Sequence, residues 1–288
     1  MQTRLIIFVA ALLLLPPVGF LLGGHEWAEL AASETQDNLA ATGLTLLALL
    51  GYTLLAGMLV KLRTTNNPLT TQRDYFLALG AAGAMLVWLL VYLNFYAASW
   101  SSIQKNSIWQ IALDTLLFAL PVPAVLVTRA LLGSFRGLLK TLARGPSLPM
   151  PHGETSALVF ASLAAFGLLG GAALSVSWLL WVSPLFLLLA LQLLWHESTI
   201  FNVLREGDWG RLICAALSGL IVGNLSIMLY DAVGGMTEDN LLSAQFGYLL
   251  FGLLCLQLGD VVAENWRGKT RSQVFKKKPF PIPVVVKK

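Results

Sequence analysis

The chain of 288 residues is 57% hydrophobic and 12% charged, and its formal net charge is +4. An ordinary soluble domain has roughly 45–50% apolar and about 25% charged residues, so this composition excludes one and indicates a protein that lies largely in lipid. The positive charge does not indicate nucleic acid as a partner, because the cations are spread over the ends of apolar segments, where anionic lipid attracts them.

Apolar runs of about 20 residues recur along the chain, and each is long enough to cross a hydrocarbon layer about 30 Å thick as an α-helix. The alternating polarity that a membrane β-barrel requires does not occur. We therefore predict an all-α fold, a polytopic integral membrane helical bundle with about eight transmembrane helices. The predicted spans lie at about 4–23, 39–61, 75–98, 109–129, 156–174, 178–196, 211–230 and 242–263.

The first span follows Arg4 and also fits the pattern of a secretory signal peptide. No A-x-A cleavage site follows it, and Pro16 and Pro17 kink a helix without ending it. We interpret 4–23 as a retained helix. Cleavage would instead leave seven spans and place the amino end outside.

The charges predict the orientation of the bundle. If the amino end is cytoplasmic, every Lys and Arg except Lys105 falls in a cytoplasmic connection, as the positive-inside rule requires. An omitted or added helix would disturb this pattern, so it supports both the number of spans and a topology with both chain ends in the cytoplasm. A bacterial inner membrane is the expected location.

The third and fourth spans contain the first intramembrane polar candidates. Asp114 precedes Pro121 and Pro123, whose rings and missing N–H groups predict a break in the helix. A carboxyl group beside a broken helix is typical of an ion or proton site. The alternative is that Asp114 pairs with a polar neighbour near the outer surface, such as Asn94 or Gln245. The candidate intramembrane polar or ion site comprises Asp114, Asn94 and Asn224.

Two cytoplasmic segments predict surface interactions. Apolar and basic residues recur on separate faces of 130–145, which predicts an amphipathic interfacial helix, and 265–288 forms a basic, proline-containing tail. Both segments favour contact with anionic inner-leaflet lipids, and docking of a protein partner is the alternative. The predicted contact residues are Arg136, Lys140, Arg144, Lys276, Lys277 and Lys278.

Polar residues crowd the connection between the sixth and seventh spans, at 193–212. Asp208 is expected to cap the seventh span, and Arg211 to neutralise Asp260 at the inner end of the eighth. The candidate inner-face cluster comprises His196, Glu197, Arg211 and Asp260. A solvated helix end is one interpretation, and a catalytic or proton-handling pair formed by His196 and Glu197 is the other.

Small residues recur every four positions in the seventh span, at Ala215, Gly219 and Gly223, next to Asn224. Such a stripe lets two helix backbones approach closely, and an asparagine can hydrogen-bond across the contact. We predict packing inside the bundle. Dimerisation and a transport pathway are the alternatives.

Several kinds of site are not indicated. Paired intramembrane histidines for haem, a mid-span lysine for retinal and clustered metal ligands are all missing from the sequence, so we predict no cofactor and no metal. Cys214 and Cys255 lie within spans and are expected to behave as buried apolar residues.

Three classes of function remain. A membrane subunit or scaffold of a larger assembly, with a protein partner in the membrane, is favoured because few polar groups lie within spans. A transporter or flippase that uses Asp114 and the break at Pro121 and Pro123 is the alternative. A lipid-modifying membrane enzyme is the third class, and it is the least favoured because His196 and Glu197 lack an identifiable third group.

Overall fold

The computed structural model of the protein describes residues 39–97, 100–101, 107–149, 153–174, 177–195, 197, 199, 202–232, 236–237 and 241–267. The predicted first span at 4–23 lies outside the described residues. The candidate residue His196 also lies outside them, and so does the tail beyond residue 267, which contains Lys276, Lys277 and Lys278.

The described part of the chain is almost entirely α-helical. Its helices are α1 (Leu39–Thr64), α2 (Pro68–Thr71), α3 (Arg73–Ala97), α4 (Ile108–Phe118), α5 (Pro121–Leu132), α6 (Arg136–Leu142), α7 (Glu154–Leu174), α8 (Ser177–Leu194), α9 (Gly210–Ala232) and α10 (Leu241–Arg267). Two two-residue strands, β1 (Trp100–Ser101) and β2 (Met236–Thr237), pair antiparallel. A 3₁₀ turn covers Asn202–Glu206.

Five described segments are long and apolar enough to cross a membrane, as expected for an integral membrane protein. They are Thr42–Thr64, Arg73–Ala97, Ile108–Leu132, Gly210–Leu229 and Leu242–Glu264. The predicted spans at 156–174 and 178–196 correspond to shorter apolar helices, Glu154–Leu169 and Trp178–Leu194. The described residues thus support a multi-pass helical membrane protein, and the count of eight spans stays a prediction.

The predicted break lies between α4 and α5. The first helix ends at Phe118, and Pro121 occupies the first turn of the second, where a missing N–H costs no hydrogen bond. The carbonyl of Ala119 would normally accept from residue 123, which is a proline. A Cβ built on Gly80 of α3 would lie 3.3 Å from that oxygen, so α3 packs closely against the break.

The bounds predicted for the amphipathic helix, 130–145, are wrong. α5 ends at Leu132, and α6 covers only Arg136–Leu142. The hydroxyl of Ser134 donates to the carbonyl of Leu131 at 2.6 Å, and this local bond competes with a continuous helix. The basic residues of 130–145 therefore lie on a short helix that follows a turn.

Successive membrane-length segments of the chain run in opposite directions, so their charged ends lie at one end of the bundle. Arg63 at the end of α1 bonds Ser134 after α5, and Tyr75 at the start of α3 donates to the carbonyl of Gly259 near the end of α10 at 3.0 Å. We call this the basic end. It contains the final turns of α1, α5, α8 and α10, the first turns of α3, α7 and α9, and α6.

Candidate functional site

Helix α10 presents a buried polar face at the basic end. Gln257, Asp260 and Glu264 are 0%, 5% and 6% exposed. Their spacing of three and four residues places them on one side of a helix, over about two turns. Buried polar side chains have to be paired to be tolerated, so the groups opposite this face define the site.

Arg211 in the first turn of α9 pairs with Asp260. The guanidinium Nη2 bonds the carboxylate Oδ1, and the two side chains are 14% and 7% exposed. Helix α9 is positioned by Asp208, whose carboxylate accepts from the N–H of Gly210 at 2.9 Å. Both contacts agree with the prediction for these residues, and together they hold a buried ion pair between α9 and α10.

Glu197 follows α8 and contacts the last residue of the polar face, Glu264. The N–H of Glu197 donates to the carbonyl of Gln192 at 2.8 Å. This bond holds the residues after α8 close to the last turn of that helix. Burial, the charge of Glu264 and a hydrogen bond between the two carboxyl groups raise the pKa of Glu197 to about 7. Such a pair holds a proton near neutral pH.

Gln192 of α8 and Gln257 of α10 form the deepest contact. The Nε2 of Gln257 donates to the Oε1 of Gln192 at 3.0 Å, and both residues are fully buried. The remaining amide atoms, Nε2 of Gln192 and Oε1 of Gln257, have no hydrogen-bond partner among the described residues. The amide pair therefore keeps one donor group and one acceptor atom that no described residue uses inside the bundle.

We call this set of six residues the polar column. It begins at the carboxyl pair, passes the ion pair and ends at the amide pair, and it comprises Glu197, Glu264, Arg211, Asp260, Gln192 and Gln257. Chemically the polar column can bind and release a proton at the carboxyl pair of Glu197 and Glu264. In the described part of the chain, no three His, Cys, Asp or Glu side chains are grouped to hold a metal ion.

Asp114 lies away from the polar column, toward the opposite end of the bundle. Its Oδ1 accepts from the Nε2 of Gln110 at 2.8 Å, and the same nitrogen donates to Thr42 of α1 at 2.9 Å. Asp114 therefore has a polar partner, as the alternative reading expected, but this partner is Gln110, one turn away on the same helix. The example Gln245 pairs with Asn224 instead. Asn94 is buried in α3.

Asn224 pairs across the α9–α10 contact with Gln245. The two side chains donate to each other, at 2.9 Å and 2.8 Å. The predicted candidates Asp114 and Asn224 therefore have different hydrogen-bond partners, and the described hydrogen bonds do not join them into one site.

The small-residue stripe of α9 packs inside the bundle. A Cβ on Gly219 would lie 2.2 Å from the carbonyl oxygen of Tyr248, and a Cβ on Gly252 would lie 2.3 Å from that of Ala215. A Cβ on Gly223 would lie 2.4 Å from the ring of Tyr248. The stripe thus serves the contact between α9 and α10.

The predicted surface cations Arg136, Lys140 and Arg144 are exposed at the basic end. Cys214 and Cys255 are buried and free, as expected.

Three members of the polar column were not predicted from sequence: Gln192, Gln257 and Glu264. The spacing of Gln257, Asp260 and Glu264 on one helical face was the available signal. The eighth span was expected to end at 263, so Glu264 fell just beyond it and before the predicted tail.

The chain matches no model of a known protein family, no curated protein and no solved structure.

Proposed function

We propose that this protein is an integral-membrane subunit of a larger assembly and that its partner docks at the basic end. In this proposal the chain crosses a bacterial inner membrane eight times, with both ends in the cytoplasm. The basic end then faces the compartment where a peripheral partner would be met.

The observation that carries the proposal is the organised surface formed by two connections at the basic end. The N–H of Gly145 donates to the carbonyl of Gly207 at 3.0 Å, and the N–H of Leu148 donates to that of Leu204 at 3.0 Å. The loop after α6 is thereby hydrogen-bonded to the 3₁₀ turn before α9 and to Gly207, the residue that follows this turn.

Trp209, which directly precedes α9, adds two hydrogen bonds to α6 and the loop after it. Its backbone N–H donates to the carbonyl of Leu142 at 3.1 Å, and its indole N–H donates to that of Pro146 at 3.0 Å. A surface held by such bonds loses little conformational entropy on binding. Exposed Lys140, Arg144 and Arg205 give it the positive charge that steers an acidic partner.

The test is site-specific photo-crosslinking in the membrane. A photoreactive residue at Lys140 should give a crosslinked protein of defined mass, identified by mass spectrometry after purification in mild detergent. The matched control is Leu158 on α7, which is 68% exposed and lies in an apolar helix. Crosslinks at both positions to the same protein, or only to lipid at Lys140, would contradict docking at the basic end.

Transport is the second candidate, supported by the hydrogen-bonded group of Asp114, Gln110 and Thr42 in the membrane-spanning region. A carboxyl group within a membrane-spanning segment is energetically costly, and such groups usually mark an ion or proton pathway. If it carries an ion or proton, the purified protein in liposomes should take up substrate, and Asp114→Asn should abolish uptake. Uptake that survives this substitution would exclude Asp114 as the transport site.

A further inference from the structure

A shallow cleft of about 450 Å³ lies at the basic end, where the last turn of α1 meets the connection between α5 and α6. This volume is in the range of pockets that hold small molecules. The cleft is lined by Arg63, Leu132, Phe135, Arg136, Gly137 and Leu138. Two arginine residues thus line the cleft together with apolar residues.

Arg63 is held in place by its neighbours. Its Nε donates to the Oγ of Ser134 at 2.8 Å, and its guanidinium carbon lies 3.9 Å from the centre of the Phe135 ring. The hydroxyl of Ser134 in turn donates to the carbonyl of Leu131, so its oxygen is oriented to accept from Arg63. These contacts occupy the Nε and one face of the Arg63 guanidinium. Its two Nη groups make no hydrogen bond to a described residue.

The two stretches of sequence that line the cleft contain basic residues and no acidic ones. Neither 38–73 nor 115–153, the two stretches that contain the lining residues, includes an Asp or Glu. Arg63 and Arg136 therefore have no carboxylate in their own segments. Two arginines in this setting favour a phosphate, which accepts two parallel hydrogen bonds from a guanidinium.

An apolar strip leads from Arg63 into the membrane-spanning part of α1. Leu59 and Leu55 lie one and two turns before Arg63 on the same face, and they are 44% and 61% exposed. A ligand with a phosphate at one end and hydrocarbon behind it matches both features. We infer that the cleft binds the phosphate headgroup of an anionic phospholipid, with its acyl chain along Leu55 and Leu59.

This inference does not depend on a protein partner, because Lys140 and Arg144 do not line the cleft. A free phosphate ion shares the headgroup chemistry but lacks the hydrocarbon, so the two sources can be separated experimentally.

The test is native mass spectrometry of the full chain in detergent, with phosphatidylglycerol, phosphatidylcholine or inorganic phosphate added. Phosphatidylglycerol should remain bound, and the other two should be lost at the same concentration. Arg63→Gln and Arg136→Gln should each weaken phosphatidylglycerol binding about tenfold, the size expected for loss of a charge-assisted hydrogen bond. Retention of inorganic phosphate as strong as that of the lipid would overturn the lipid assignment.

The matched controls are Lys61→Gln and Arg73→Gln, which remove exposed cations from the same end outside the cleft. They should change binding less than twofold. Equal losses in all four variants would show a general charge effect and overturn the site. Arg63→Lys keeps the charge but loses the two Nη donors and the bond from Nε to Ser134, so it should bind phosphatidylglycerol less tightly than the native protein. Full binding would contradict the role given to the paired Nη donors.

Discussion

The ion pair of Arg211 and Asp260 is the strongest electrostatic contact in the polar column. Both side chains are nearly buried, so water cannot solvate the charge that remains when the other residue is removed. The ion pair holds the first turn of α9 against α10, directly after the connection that carries Asp208 and Trp209.

We predict that Arg211→Leu alone destabilises the protein by about 3–5 kcal/mol, because it leaves the carboxylate of Asp260 without its cation. The double variant Arg211→Leu with Asp260→Leu should recover most of that loss, since no buried charge remains. Thermal unfolding in detergent measures both. Equal stability of the single and double variants would contradict a buried, mutually dependent pair.

The carboxyl pair of Glu197 and Glu264 predicts a pH dependence. The pKa of Glu197 is about 7 in the folded protein against an ordinary value of 4.5, so the folded state binds more protons than the unfolded state between these values. The free energy of unfolding should therefore fall as the pH rises from about 4.5 to about 7, and this loss should be complete above the folded pKa.

Glu197→Gln should remove this part of the pH dependence, because the amide retains the hydrogen-bonding shape of the protonated acid and does not titrate. The measurement is the apparent unfolding temperature across this pH range. Exposed Glu206 is the matched control, and Glu206→Gln should keep the native profile. A profile unchanged by Glu197→Gln would show that another group holds the proton.

Among the elements, the pair α9 and α10 depends on glycine more than any other described contact. Gly219 and Gly252 let the two backbones approach until a methyl group has no room. At this distance the helices gain dispersion contacts, and the amide pair of Asn224 and Gln245 spans the gap between them.

We predict that Gly219→Ala destabilises the protein by about 1–3 kcal/mol, because the new Cβ would overlap the carbonyl oxygen of Tyr248 and separate the helices. The control is Gly247→Ala in α10, where a Cβ meets nothing within 4 Å. That change should be neutral or stabilise the helix by up to about 1 kcal/mol. Equal effects of the two changes on thermal unfolding would contradict close packing at Gly219.

Regular elements were predictable to within a few residues because lipid requires every backbone polar group to be satisfied inside its own helix. The helices at 39–61, 75–98 and 211–230 are found as Leu39–Thr64, Arg73–Ala97 and Gly210–Ala232. The segment 130–145 failed because it lies at the surface, where water and Ser134 offer the backbone other partners.

At the scale of the whole molecule, the described membrane-length segments alternate in direction, and their cations lie at the basic end. The positive-inside rule then predicts that this end is cytoplasmic. Insertion direction follows from synthesis and membrane potential rather than from packing, so it requires a separate measurement.

We predict that a cysteine at Lys140 reacts with a membrane-impermeant maleimide only after the cells are permeabilised. A cysteine at Trp109, which is 74% exposed near the opposite end, should react in intact cells. Native Cys214 and Cys255 are buried and provide the unreactive background. Reaction of both positions from the same side would contradict a bundle that separates them across the membrane.

The sequence by itself determined that the protein is helical and lies in a membrane, because run length and composition are local properties that lipid converts directly into helices. It also indicated the break at Pro121 and the pairing of Arg211 with Asp260. Only the tertiary structure brought Gln192 to Gln257 and Glu197 to Glu264. These contacts join residues more than 60 positions apart, and which faces of two helices meet depends on packing that no single segment specifies.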